Sequence, residues 1–142
     1  MNEAAKLVSD SLIGNDFQTV FIAGKAYIIH PPTAKIMARG LGIFADFDFD
    51  EKDQTNYTVI GQMPQNIDCL LKGLAMFVTG DVQGYERKAR RLYKQWRKGT
   101  PSADLKEVID ASKIALSLIP ASDFFAFALS LKSALKMIAK AR

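Results

Sequence analysis

Pro120 constrains the fold of this chain more than any other residue, because it divides a long apolar C-terminal region into two segments that each keep a helical period. Proline lacks an amide hydrogen and clashes with the preceding turn, so a helix that reaches it must end or bend sharply. Upstream, Val108, Ala111, Ile114, Ala115, Leu118 and Ile119 recur at steps of three and four, which places them on one side of a helix. Ser102 is the candidate N-cap there, and Asp104 and Glu107 put acid where the helix dipole favours it. Downstream, Ser122 or Asp123 can cap a second helix with the stripe Phe124, Phe127, Ala128, Leu131, Leu135 and Ile138, broadened by Phe125, Leu129 and Met137. Lys132, Lys136 and Lys140 step by four on the other side. A membrane span needs about 20 uninterrupted apolar residues. Here Pro120, Ser122 and Asp123 break the run, so a buried helical pair is the better reading.

Ahead of this pair the period changes. Phe17-Gln18-Thr19-Val20-Phe21-Ile22 and Ala26-Tyr27-Ile28-Ile29 are rich in β-branched and aromatic residues, and they flank a turn at Ala23-Gly24-Lys25. That pattern predicts a β-hairpin. His30-Pro31-Pro32 stops it, and Thr33 can cap a helix from residue 34 to about 41, with Ile36, Met37 and Leu41 inward and Gly40 and Gly42 weakening its end. Residues 57–60 read as a third short strand or a loop. Met63-Pro64 then opens a central helix carrying Ile67, Leu70, Leu71, Leu74, Ala75 and Val78, which Gly80 closes. Residues 85–98 form the next helix and residues 3–12 a short opening one. With 142 residues, 49% of them hydrophobic, the chain can bury one core. The fold class expected is α+β, mainly α. A single domain, 1–142, has its hairpin at about 17–29 packed on a bundle of four to five helices within about 33–142.

Motifs for chemistry are missing. His30 is the only histidine, and no serine or cysteine motif stands ready for it to serve. The lone Cys69 falls in an apolar helical pattern, which suits an inert buried thiol. Acids alternate at Asp46, Asp48 and Asp50, but a calcium loop wants glycine sixth and glutamate twelfth, where this chain has Glu51 and Tyr57. An exposed acidic stretch with its phenylalanines tucked inward is expected instead. Gly40-Leu41-Gly42 lacks the third glycine of a dinucleotide site. These absences predict a protein that is not an enzyme and takes no metal or cofactor. The start Met1-Asn2-Glu3-Ala4-Ala5-Lys6 has neither the basic opening nor the apolar run of a secretory signal, which implies a cytoplasmic protein.

Two surfaces are candidates for binding. Arg87, Lys88, Arg90, Arg91, Lys94 and Arg97 make the 85–98 helix the most basic part of a chain with formal net charge +4. With Tyr93 and Trp96 interleaved, it could grip phosphates and stack on bases. Alternatively the apolar stripes meet a protein partner, through Tyr85, Leu92 and Trp96 on that helix and Phe124, Phe127 and Leu131 on the last one. Against both stands the plain reading that these stripes close the core.

The hairpin Thr19-Val20-Phe21-Ile22-Ala23-Gly24-Lys25-Ala26-Tyr27-Ile28-Ile29, the Pro31-Pro32-Thr33 helix start, the segment Leu74-Ala75-Met76-Phe77-Val78-Thr79-Gly80-Asp81 and the closing Ala139-Lys140-Ala141-Arg142 together resemble small tail-module proteins of long-tailed bacteriophages and prophages, of the tail assembly chaperone type. The resemblance runs from about residue 17 to the end. It implies a non-enzymatic protein that binds the tape measure protein and helps recruit tail tube protein around it, in the host cytoplasm. Self-association, as a homo-oligomer, is a further expectation. No functional residue carries over, because the family has no invariant site to match.

Overall fold

The computed structural model describes residues 17–48 and 55–141. Among these residues two strands, β1 (Gln18–Ile22) and β2 (Lys25–Ile29), are followed by five helices: α1 (Ala34–Phe44), α2 (Asn56–Thr79), α3 (Tyr85–Lys98), α4 (Leu105–Ser117) and α5 (Ala121–Ala141). The expected α+β, mainly helical class with an N-terminal hairpin is what the chain adopts. The expected opening helix at 3–12 lies outside the described residues.

The strands pair antiparallel with Ile22 opposite Lys25, so Ala23 and Gly24 form a two-residue turn. Both have positive φ, 54° and 76°, the geometry that lets a turn follow the strand twist. Alternation sends Val20, Ile22 and Ile29 into the core and leaves Phe21 and Ile28 on the open face. The turn is anchored from a distance, because Glu107 Oε1 at the start of α4 accepts a hydrogen bond from the Ala23 amide at 3.3 Å. The same oxygen accepts from the Asp104 amide at 3.0 Å, so one carboxylate closes the N-terminus of α4 and holds the hairpin tip.

Several element boundaries differ from those expected. Residues 57–60 are not a strand but the opening of α2, where Thr55 Oγ1 accepts from the Thr58 amide at 3.4 Å and caps the helix. Pro64 therefore stands inside α2 and removes only one rung of its ladder. The α4 cap is Asp104 rather than Ser102, because the Ala103 amide donates to the Trp96 carbonyl at 2.8 Å and keeps the connection folded back along the end of α3. Helix α5 starts at Ala121, directly after Pro120, whose carbonyl accepts its first hydrogen bond from Phe124. Helix α1 continues to Phe44, past both glycines, and leaves Leu41 exposed. Gly40 does not weaken its end but permits a close approach, with Phe77 of α2 packed where a side chain would stand.

The core gathers Val20, Ile22 and Ile29 from the hairpin, Leu71, Leu74 and Phe77 from α2, Trp96 from α3, and Val108, Ala111 and Ala115 from α4. The long α2 is central to this arrangement and lies against α1, α3 and α4. Helix α5 contributes nothing to it.

Candidate interaction surfaces

Helix α5 has no buried residue over its 21 positions. Phe124, Phe127 and Leu131 are 72%, 63% and 46% exposed, and Leu135 and Ile138 continue the open stripe. The reading that both C-terminal stripes close into the core is thereby corrected for one of them. Val108, Ala111 and Ala115 of α4 already face the hairpin and α2, and a 42° bend at Pro120 carries α5 off the body rather than back over it. The lysines also sit differently from the expectation. Lys132 and Lys136 border the stripe, and with Ala128, Leu131, Leu135 and Ala139 they line a shallow groove of about 420 Å³. Among the described residues no single helix is long and apolar enough to cross a membrane. Helices α4 and α5 reach that length and composition only taken together, across a 42° bend, and the α4 half carries Val108, Ala111 and Ala115 of the core.

The aromatic side of α3 has the opposite fate. Trp96 is 1% exposed, with its ring edge-on to Tyr27 at 5.5 Å, and its Nε1–H donates to the Tyr27 hydroxyl at 3.3 Å. Leu92 packs against the same core. Trp96 is thereby core rather than a docking anchor or a base-stacking platform, and Leu92 is partly buried beside it. The reason is spacing: Ala89, Leu92 and Trp96 repeat at three and four, the period that any core-facing helix needs.

The basic residues of α3 divide as well. Arg87, Lys88, Arg90, Arg91 and Lys94 stand exposed. Arg97 is committed to structure, its Nε donating to Asp68 Oδ1 of α2 at 2.8 Å, where the Tyr93 hydroxyl also donates at 3.0 Å. Burial works against the Asp68 charge. The hydrogen bonds from Arg97 and Tyr93, with the fields of Arg97 and Lys72, outweigh it and hold the carboxyl below the ordinary carboxylate value. Burial and the bond to Asp68 push the Tyr93 phenol up.

A cleft of about 450 Å³ opens beside this cluster, between α1, α2 and α3. Ile43, Met76 and Ala89 form its apolar lining, and Arg39, Lys72 and Arg90 reach it from three different helices. The Arg39 guanidinium lies 3.5 Å from the centre of the Tyr85 ring, and the Lys72 ammonium 5.2 Å from that of Tyr93. Sequence reasoning placed Tyr85 and Arg90 at a surface but missed Arg39 and Lys72. Lys72, the one cation between residues 67 and 78, was the available signal.

The remaining candidates are Cys69, the acidic stretch and His30. Cys69 is buried, its Sγ donates to the Ile43 carbonyl at 3.0 Å, and burial pushes its thiol up, all of which disfavours a thiolate. Asn66 braces the start of the acidic stretch by bonding both the amide and the carbonyl of Asp48. Phe47 does not tuck inward but is exposed. Residues 49–53 of that stretch lie outside the described residues, among which no group of acids, histidines or cysteines could hold a metal ion. His30 is exposed, and its ring lies 5.9 Å from that of Phe17 in a tilted aromatic pair.

Comparison with known proteins finds no matching family model, no matching curated protein and no matching solved structure.

Proposed function

We propose that this protein is a tail assembly chaperone of the phage or prophage type, and that it works by holding an extended helical client along α5. The observation that carries this reading is the uncovered stripe itself, which keeps Phe124, Phe127, Leu131, Leu135 and Ile138 in solvent while the rest of the chain closes a core without them. Exposed apolar surface of this extent marks a binding face. Helical anchors at such spacing suit a client that is itself an amphipathic helix. Lys132 and Lys136 at the edge of the stripe favour a client with acidic residues flanking its apolar face. The sequence resemblance supplies the identity of that client, the tape measure protein, with tail tube protein as the second partner.

Co-expression with a tape measure protein tests it. The client should stay soluble and elute with this protein, and the Phe124→Ser/Phe127→Ser variant, altered only at exposed positions, should keep its fold and lose the client. A client that remains insoluble beside the wild type removes the chaperone reading. A client retained by the variant moves the binding face elsewhere. The competing nucleic-acid reading rests on Arg87, Lys88, Arg90, Arg91 and Lys94 alone now that Trp96 is buried. It requires binding that falls steeply with salt and is lost on charge reversal at Arg90, Arg91 and Lys94.

A further inference from the structure

We propose that the cleft between α1, α2 and α3 binds a small organic anion with a flat apolar body, of which an aromatic carboxylate is the simplest member. This site is separate from α5 and does not depend on the chaperone reading. Its volume, about 450 Å³, falls in the usual range for small-molecule sites. Three cations, Arg39, Lys72 and Arg90, line the cleft with one carboxylate, Glu86, and Asp68, which feels the field of Lys72, lies outside the lining and is bonded to Arg97, so the cleft keeps an excess of positive charge. Neither ion pair among the described residues, Lys35 with Asp81 and Arg97 with Asp68, draws on these cations. Glu86 is itself engaged, accepting a hydrogen bond from the Tyr85 hydroxyl at 3.0 Å.

The tyrosines matter because of what a ring does to a cation. A π face attracts and positions an ammonium or guanidinium but carries no net charge, so it orders the cation without neutralising it. Arg39, stacked on Tyr85, therefore presents its N–H donors in a fixed plane, and an entering carboxylate gains charge-assisted hydrogen bonds without first ordering a long side chain. Lys72 is held less closely against Tyr93 and supplies a second point of attraction. An inorganic ion would leave Ile43, Met76 and Ala89 uncovered, whereas a planar apolar body lies against them and places its anionic group at the cationic rim. Both halves of the cleft are satisfied only by a ligand that has both parts.

The test titrates the full-length, isotope-labelled protein with naphthoate and with its neutral analogue naphthol, following backbone amide resonances at low salt. Naphthoate should move amides around Arg39, Lys72 and Arg90 and bind roughly tenfold or more tightly than naphthol. The Arg39→Gln/Arg90→Gln variant should lose about that factor, the size expected for a lost charge-assisted contact. Lys72→Met, altered on the exposed side of α2, gives the same reading where the double variant fails to fold. Equal binding of the two probes, shifts confined to α5, or no shift at millimolar probe overturns the proposal.

Discussion

Gly40 and Gly73 make opposite halves of one contact, and substituting the first tests the packing of α1 on α2. A Cβ built on Gly40 would stand well inside 3.0 Å of the Phe77 ring, and one on Gly73 equally close to the Phe44 ring. The two rings stack with centroids 5.7 Å apart and planes at 21°. Each helix thus yields a notch to the other's phenylalanine. Gly42, on the same helix as Gly40, would place a Cβ with nothing within 4 Å. Alanine for glycine in a helix contributes about 0.5–1 kcal/mol of stability, so Gly42→Ala should raise stability by about that amount. Gly40→Ala receives the same propensity gain, but it drives a methyl group into a ring that is 2% exposed and locked in a stack. Overpacking of that kind costs about 1–3 kcal/mol. Gly40→Ala should therefore fall about 1–3 kcal/mol below Gly42→Ala in urea denaturation, with unchanged m-values. Gly73→Ala should fall less far, because Phe44 is only half-buried and can swing aside. Adding Phe77→Leu should return part of the Gly40→Ala loss, a coupling that a double-mutant cycle reads directly. If Gly40→Ala proves as stabilising as Gly42→Ala, Phe77 does not sit against α1 and the described α1–α2 interface is wrong.

Three further outcomes follow from the same geometry. Glu107→Ala frees the Ala23 and Asp104 amides together and should cost about 1–2 kcal/mol in chemical denaturation, whereas Glu107→Gln, which keeps an acceptor oxygen, should stay near wild type. Trp96 is the only tryptophan, so the native protein should emit in the blue, resist iodide quenching, and keep both properties when a client is added; a native emission like that of free tryptophan would take Trp96 out of the core. The depressed Asp68 carboxyl means that the unfolded chain takes up this proton first as acid is added. The resulting stability, fully present above the unfolded value of about 3.9, should be lost as pH falls through the folded one. Asp68→Asn should flatten that part of the acid denaturation profile, and an unchanged slope would show that Asp68 titrates as in the unfolded chain.

What could be read from the sequence, and what could not, divides along a physical line. The hairpin was legible because β-branched alternation and a glycine turn are two local signals that agree with each other, and Val20, Ile22 and Ile29 went where their period sent them. Tyr57-Thr58-Val59-Ile60 carried a local signal for strand that lost to another, the Thr55 cap, since β-branched residues disfavour helix only slightly. Gly40 was visible as a weak point but not as a notch, because its use is decided by Phe77, far along the chain. The cleft was hidden for the same reason: Arg39, Lys72 and Arg90 belong to three helices and meet only after folding. Most instructive are the stripes of α4 and α5, which share a helical period and are both apolar. Period tells which side of a helix is apolar, never whether anything covers it, and only the bend at Pro120 separates Val108 in the core from Phe124 in water.

That separation limits what the partner of α5 can be. The exposed stripe runs from Phe124 to Ile138, which at 1.5 Å per residue is a strip about 21 Å long and one helix face wide. A loop or a single pocket would cover two or three of its anchors and leave the others wet. A groove or helix of comparable length covers Phe124 through Ile138 together, and burying each such side chain contributes on the order of 1–2 kcal/mol given how far each is already exposed. Because α5 is already helical without neighbours along it, a partner does not have to order it, and the affinity is set by how much of the strip the partner spans. Long helical clients are therefore favoured over short ones by the number of anchors they reach, a length dependence that a compact, single-epitope partner would not show.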